Sequence, residues 1–421
     1  MRILSSEARQ RRRSMKGRMV IGVLALAVLA SGLYFARQSG TNPDSYTNDF
    51  SVYYHAAREV LAGRDPYQHA LGDWTPYIYP PFLAEVIVPL ALLPLPVAAY
   101  CWFLVNAGSI VAAGWMSARL ADGIGSGDAK LKQGAAESHF VQPVIAVCAV
   151  AIVFRFVLDT FNLGQVNAVV AALAVAHVYF YARDRKALSA FALVIAVSIK
   201  LTPALLLLYQ IAKLRLKFAA ACAALLVGVT LLSFLPFGSH GTDAFQTFWS
   251  RTVKNEQGYD FGYSGNQSLR GAIARLIGYR NDDATEIAAE SREPADLPTM
   301  LISIALLAFA VFAAVRARSE LAAAAPFFCC MVLLSPLSWK AHYVVLVLPA
   351  AHLLSVARTA TKPRLLIVAT LVAAFVLFNL TSPRVIGLAA AEWADAHSLV
   401  FAGALLIFIS CLGSIQVVDR R

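Results

Sequence analysis

The stretch FAAACAALLVGVTLLSFLP at residues 218–236 contains no charged side chain and is long enough to cross the hydrocarbon core of a bilayer as a helix. Similar apolar runs recur along the whole chain of 421 residues, of which 59% are hydrophobic and only 14% are charged. These runs are continuous and do not alternate with polar residues, which excludes a transmembrane β-barrel. The sequence therefore predicts an all-α polytopic membrane protein.

The apolar runs predict about twelve transmembrane helices in a single membrane domain over residues 1–421. The first run is longer than the apolar part of most signal peptides, so it is predicted to be an uncleaved helix. Two connecting segments are long, 38–96 and 237–297, and the connector 119–140 is rich in glycine and polar residues. The predicted spans are 19–36, 97–118, 141–158, 164–182, 187–199, 201–212, 218–236, 298–315, 321–335, 343–357, 365–380 and 397–416.

The net charge of +11 is explained by membrane orientation. If the N-terminus is cytoplasmic, basic residues concentrate in the cytoplasmic segments, as the positive-inside rule requires, and the two long segments are exterior. Both termini are then cytoplasmic, and nucleic acid is not an expected partner. The six cysteines all lie in apolar stretches, which predicts no disulfide framework. The basic connectors are RDRK (183–186), KLRLK (213–217) and RAR (316–318).

The first exterior segment contains a predicted short helix. In NDFSVYYHAAREVLAG, residues 48–63, apolar and aromatic residues recur at helical spacing, and Gly63 is a suitable stop. Tyrosines favour the membrane interface, so this helix is predicted to lie along it. The following run FLAEVIVPLALLPLP, residues 82–96, is too short to cross alone. It is a second interfacial helix, a partly inserted one, or the broken start of the next span.

Ionisable residues near the exterior face are candidates for function, because charges at that depth are costly unless used or paired. Under the predicted orientation, five polar motifs share this face. Structural roles are open for several of these residues. Asp49 and Asn48 could cap a helix, and Asp159 could form an ion pair with Arg155, which precedes its motif. Lys200 could reach the interface, and His342 could be a packed histidine. The motifs are NDF (48–50), LDTFNLGQVN (158–167), SIKLTP (198–203), GNQSLRG (265–271) and SPLSWKAHY (335–343).

These motifs, together with YPPFLAEVIVPLALLP (79–94), resemble glycosyltransferase family 87, a family of GT-C type that includes mannosyltransferases dependent on polyprenol-phosphate-mannose. The resemblance extends from about residue 44 to about residue 350, with the motifs in the same order; beyond about residue 360 no motif matches. It implies a GT-C-type bundle with interfacial helices in the first exterior loop. It also implies a polyprenyl-phosphate sugar as donor and a glycolipid or glycan as acceptor, at the exterior face of a bacterial inner membrane.

The resemblance carries a catalytic acidic residue onto Asp49 in the first exterior loop. There it would act as general base on an acceptor hydroxyl, in a single inverting displacement. Cations and amides would surround the departing phosphate, and aromatic residues would contact the sugar or the polyprenyl chain. The substrate-binding candidates are Tyr54, Tyr79, Gln165, Asn167, Lys200, Asn266, Gln267, Arg270, Trp339, Lys340 and His342.

No cofactor is predicted, and transfer is expected to be independent of metal because no nucleotide-sugar site of the DxD kind is evident. The pair Asp282 and Asp283 is interpreted as part of a solvated turn. The main alternative is a secondary transporter or flippase, whose spans also hold scattered charges and broken helices. A polymerase or ligase of oligosaccharides is the second. The sequence identifies neither the sugar nor the acceptor.

Overall fold

The computed structural model describes residues 30–34, 37, 48–67, 77–122, 135–250, 261–278, 292–360 and 364–418. Within these ranges the chain is helical and contains no β-strand, which confirms the all-α prediction. Most of the predicted helix 19–36 and the Asp282–Asp283 pair lie outside the described residues.

The helices follow one another with short connections. They are α1 (Asp49–Leu61), α2 (Pro81–Ala91), α3 (Leu95–Asp122), α4 (Ala135–Ile152), α5 (Phe154–Leu163), α6 (Asn167–Tyr181), α7 (Lys186–Ile199), α8 (Leu205–Ala212), α9 (Leu216–Leu232), α10 (Gly241–Phe248), α11 (Leu269–Leu276), α12 (Arg292–Arg316), α13 (Glu320–Leu333), α14 (Val347–Thr359), α15 (Arg364–Phe375), α16 (Pro383–Ile386), α17 (Leu388–Ala396) and α18 (Leu399–Val418). Tighter 3₁₀ turns span Thr202–Ala204, Leu235–His240 and Lys340–Leu346, and a π-helical turn spans Val376–Leu380.

Four helices of the described chain are long and apolar enough to cross a membrane by length and composition, or six if each of two bent pairs forms one span. The bent pairs are 141–152 with 154–163, at 65°, and 388–396 with 399–415, at 52°. Further apolar helices are shorter, such as α6, α7 and α13. The multi-pass character of the chain is thus supported, while the total of twelve spans and the interfacial placement of α1 and α2 stay predictions.

The break between α4 and α5 divides the predicted span 141–158 into two helices. The side chain of Asn379 pairs with one backbone group on each side of the break. Its Nδ2 donates to the Ile152 carbonyl at 2.9 Å, and its Oδ1 accepts from the Arg155 backbone N–H at 3.0 Å. A helix terminus inside an apolar environment needs such partners. Because they come from a distant part of the chain, the local apolar pattern does not reveal the break.

Two apolar cores organise the described residues. The larger core fills the bundle built around α3, α6, α13, α14 and α18. The smaller core holds α1 and α2 against the beginnings of α3 and α6, with Phe50, Tyr53 and Trp102 among its buried side chains. The stretch after Asn48 is therefore packed against the bundle as a helix, as its spacing predicts.

The basic connectors gather at one end of the bundle. Arg215 pairs with Glu320 and lies 4.0 Å from the centre of the Tyr181 ring, while Lys213 donates to the Ala317 carbonyl at 2.9 Å. Helices α6, α7 and α13 each have one terminus at this end. Their other termini lead to the motifs LGQVN, SIKLTP and SPLSWKAHY, so these motifs lie at the opposite end.

Candidate active site

A cavity of about 1170 Å³ opens at the end of the bundle that carries the motifs. Its walls come from six separate parts of the described chain. Four of the five polar motifs contribute residues to it directly, and Tyr79 extends the wall formed by α1. The contributing segments are 49–52, 78–79, 154–165, 263–265, 337–341 and 379–385.

Asp49 faces this cavity because its neighbour caps the helix. The Oδ1 of Asn48 accepts the backbone N–H of Phe50 at 2.9 Å, which satisfies an N-terminal donor of α1. Asp49 occupies the next position, and its side chain lines the cavity. The cap is thus provided by Asn48, and the carboxylate of Asp49 is available for other contacts.

Gly164 brings the LGQVN motif against the NDF motif. It ends α5 with φ of 63°, a left-handed conformation that favours glycine. A Cβ at this position would lie 2.5 Å from Asn48 Oδ1 and 2.8 Å from Phe50 Cβ. Its carbonyl accepts from the indole N–H of Trp102 at 2.8 Å. The absence of a side chain therefore sets how closely the two motifs approach.

Four polar side chains continue from Asp49 into the protein. Gln165 hydrogen-bonds to Asp49, and Asn167 donates to the Gln165 side-chain oxygen. Lys200 Nζ donates to Asn167 Oδ1 at 2.8 Å and lies 2.8 Å from His342 Nε2. The structure thus connects the carboxylate to candidates from three motifs, with Lys200 and His342 behind the cavity wall.

The surroundings of Asp49 favour its protonated form more than water does. Burial raises the pKa of Asp49 to about 6, while the hydrogen bond with Gln165 and the charge of Lys200 act in the opposite direction. Lys200 lies in the extended junction between α7 and the 3₁₀ turn that follows. Burial lowers the pKa of Lys200 to about 7, and the charge of Asp49 opposes that shift. The carboxylate is therefore suited to accept a proton near neutral pH.

The two tyrosine candidates occupy different places. Tyr79 lines the cavity, accepts from the Tyr53 hydroxyl at 2.9 Å, and has its ring centre 5.9 Å from Lys200 Nζ. Tyr54 is buried in the smaller core, where its hydroxyl donates to the Leu93 carbonyl at 2.8 Å. Tyr79 is therefore placed to contact a substrate, whereas Tyr54 joins α1 to the end of α2.

The amides of the NQSLRG motif hold the loop that carries Gly265. Asn266 donates to the carbonyls of Phe261 and Pro336, and its Oδ1 accepts from two backbone N–H groups. Gln267 donates to the carbonyls of Ser264 and Asp395. Both side chains are fully buried, so in this structure they position the wall of the cavity. Their predicted contacts with a substrate stay predictions.

Arg270 lies outside the cavity lining. It pairs with Asp296, and its guanidinium lies 3.7 Å from the centre of the Phe261 ring. Trp339 and Lys340 do line the cavity. The Trp339 ring packs edge-on against Tyr263, with centroids 5.8 Å apart, and offers an aromatic surface to a sugar. Lys340 forms an ion pair with Asp395.

The last fifth of the chain supplies a wall that the sequence motifs do not include. Asn379, Ser382 and Arg384 line the cavity. Asp395 lies outside the lining and forms an ion pair with Lys340, which does line it. Arg384 and Asp395 lie in the connector 381–396 between two predicted spans, and the signal that could have found them is the presence of charges near the exterior face. Arg155, an expected half of an ion pair, lies 4.0 Å from Asp159 and donates to Thr381 Oγ1 at 3.0 Å.

Comparisons with known proteins agree on one family. The sequence profile of glycosyltransferase family 87 matches residues 77–337. A polyprenol-phosphate-mannose-dependent α-(1-2)-phosphatidylinositol pentamannoside mannosyltransferase of Mycobacterium tuberculosis is 28% identical over 71% of this chain and 64% of its own length. A phosphatidylinositol mannoside mannosyltransferase of Mycolicibacterium smegmatis, dependent on the same donor, is 27% identical over 76% of this chain and 72% of its own length. The chain thus spans slightly less than two thirds of the first of these relatives.

Proposed function

This chain belongs to glycosyltransferase family 87, and we propose that it moves a sugar, mannose in the first instance, from a polyprenyl phosphate to a hydroxyl of a glycolipid or glycan. The relatives named above use polyprenol-phosphate-mannose and act on phosphatidylinositol mannosides, which supports both the donor and the acceptor class. The single observation that carries the chemistry is the cavity in which Asp49 lies together with residues of the polar motifs.

In the proposed mechanism, Asp49 is the general base. The acceptor hydroxyl oxygen attacks the anomeric carbon, and its proton passes to the Asp49 carboxylate. The bond between the anomeric carbon and the phosphate oxygen breaks, and its electron pair leaves with the polyprenyl phosphate. A single displacement inverts the anomeric centre, so a β-linked donor yields an α-linked product. The family profile match begins after Asp49 and does not include it, so this role is supported by the site geometry and by the resemblance of the NDF motif.

The surrounding side chains are proposed to bind the reactants. Trp339 and Tyr79 would contact the sugar or the polyprenyl chain, and Lys340 would offset the negative charge that develops on the departing phosphate. Lys200 and His342 would act through Asn167 and Gln165 on the orientation and charge of Asp49. Transfer is proposed to be independent of metal, so the addition of EDTA should leave the rate of transfer unchanged.

The reaction is proposed to take place at the exterior face of a bacterial inner membrane. The cavity lies at the end of the bundle opposite Lys213 and Arg215. Basic connectors mark the cytoplasmic side of multi-pass proteins. This arrangement supports cytoplasmic termini and an exterior site.

The decisive experiment is transfer by the purified full chain in lipid nanodiscs. Polyprenyl-phosphate-[¹⁴C]mannose is supplied with phosphatidylinositol mannosides, and the products are separated and their linkage is determined. We expect an α-mannosylated glycolipid. If no polyprenyl-phosphate sugar supports transfer, while the protein in liposomes moves a lipid-linked substrate across the bilayer, the chain is a transporter or flippase.

The pH dependence of transfer should report the pKa of Asp49. The base acts only when deprotonated, so kcat/KM in the wild type is expected to fall as pH decreases through about 6. Lys200→Met removes the cation that lowers the pKa of Asp49, so this acidic limb should move to higher pH. A pH profile of Lys200→Met that coincides with that of the wild type would contradict the coupling. The conservative Lys200→Arg should keep most of the original profile.

A further inference from the structure

Three cationic side chains line the cavity, and two of them are occupied by protein partners. Arg155 donates through Nη1 to Thr381 Oγ1 at 3.0 Å and to the Phe378 carbonyl at 3.3 Å. Lys340 pairs with Asp395. These contacts fix the two cations to the wall and satisfy part of their hydrogen-bonding capacity.

The third cation, Arg384, has its donors available. It is exposed at the cavity wall, and within the part of the chain that the structure describes it forms no hydrogen bond and no ion pair. The nearby Asp159 interacts with it only through longer-range charge. A guanidinium presents several N–H donors in a fixed plane, which matches the oxygens of a phosphate group.

Apolar side chains next to Arg384 are exposed at the same edge. Val385 is 58% exposed, Ile386 41% and Leu388 65%, in a protein whose lateral surface is apolar. The cavity wall therefore passes from the charged Arg384 to exposed apolar side chains within a few residues. A ligand that fits this transition has a charged head and a hydrocarbon tail.

We propose that Arg384 binds the phosphate of the polyprenyl-phosphate donor, an inference that rests on the proposed function. The sugar would extend into the cavity and the polyprenyl chain along the apolar edge. The donor phosphate is a diester with one negative charge. It becomes a monoester with a second charge when its bond to the anomeric carbon breaks. A bound guanidinium would thus stabilise the ground state and, more strongly, the departing group.

The test compares ligands that differ only in phosphate. Binding of polyprenyl phosphate and of the matching polyprenol to the full chain in nanodiscs is measured for the wild type, Arg384→Ala, Arg384→Lys and Arg358→Ala. Arg358 is also exposed near a helix end but lies outside the cavity lining. Arg384→Ala is expected to raise the Kd for polyprenyl phosphate about 10- to 100-fold, the range for a lost hydrogen bond to a charged group. The Kd for polyprenol should not change, and Arg384→Lys should restore part of the affinity.

Steady-state kinetics separates the two possible sources of a lipid phosphate. The donor assignment requires that Arg384→Ala raise KM for the polyprenyl-phosphate sugar and leave KM for the phosphatidylinositol-based acceptor unchanged. A rise confined to the acceptor would refute the assignment, as would wild-type affinity of Arg384→Ala for polyprenyl phosphate. Phosphate binding that depends on Arg384 in a protein without transfer activity would refute the proposed function but keep the phosphate site.

Discussion

Asp49→Asn is expected to lower kcat for sugar transfer about 10²- to 10⁴-fold, the contribution of a positioned general base. The amide keeps the size of the side chain but cannot accept the proton of the acceptor hydroxyl. Since Asn48 provides the helix cap, the substitution should leave α1 folded. The measurement is single-turnover transfer from polyprenyl-phosphate-mannose at saturating acceptor, with thermal unfolding recorded for the same preparation.

The matched control is Asp243→Asn. Asp243 is exposed in the first turn of α10, and its side chain lies outside the cavity lining. This variant should transfer sugar at the wild-type rate. Retained transfer by both Asp49→Asn and Asp49→Ala would exclude Asp49 as the base. If Asp49 acts only in proton transfer, KM for the donor should change little in either variant.

Gly164→Ala should destabilise the protein and reduce transfer at the same time. The left-handed backbone costs a non-glycine residue about 1–2 kcal/mol. The new Cβ would also overlap Asn48 Oδ1 and Phe50 Cβ, and overpacking of this kind costs roughly 1–3 kcal/mol. To relieve the overlap, the NDF segment must move away from Gln165. We therefore expect a lower unfolding temperature and a loss in kcat of at least tenfold, on the order expected when a reacting group is displaced.

Gly63→Ala separates these two costs. Gly63 has φ of 68°, close to that of Gly164, but a Cβ there would meet nothing within 4 Å. Gly63→Ala should lower the free energy of unfolding only by the cost of a left-handed backbone in a non-glycine residue, and it should leave kcat unchanged. Equal losses of activity in the two variants would show that the close contact between the NDF and LGQVN motifs does not position Asp49.

The sequence predicts those features that depend on short-range patterns. Apolar periodicity locates the helix that begins at Asp49, and the apolar runs locate α3, α9 and α14 within a few residues. It also identifies the separation of α7 from the following helix at Lys200. All five polar motifs are predicted to lie on one face, and four of them supply residues to one cavity, among them Asp49, Gln165, Trp339 and Lys340.

Features set by long-range pairing were beyond the reach of those patterns. The break after Ile152 depends on Asn379, more than two hundred positions away in the chain. Likewise, no local signal separates Asn266 and Gln267, whose amides are used inside the protein, from Gln165, which reaches Asp49. Arg384 was missed because it lies beyond the motifs of the family.

Residues 379–385 form one wall of the cavity. They follow, in the chain and therefore in synthesis, every motif that resembles the family. A nascent chain that has reached residue 360 contains Asp49, Lys200 and Trp339 but still lacks this wall and the partner of Ile152 and Arg155. A chain that ends before residue 379 would therefore lack one wall of the cavity, and we expect a premature stop codon in this last stretch to abolish sugar transfer.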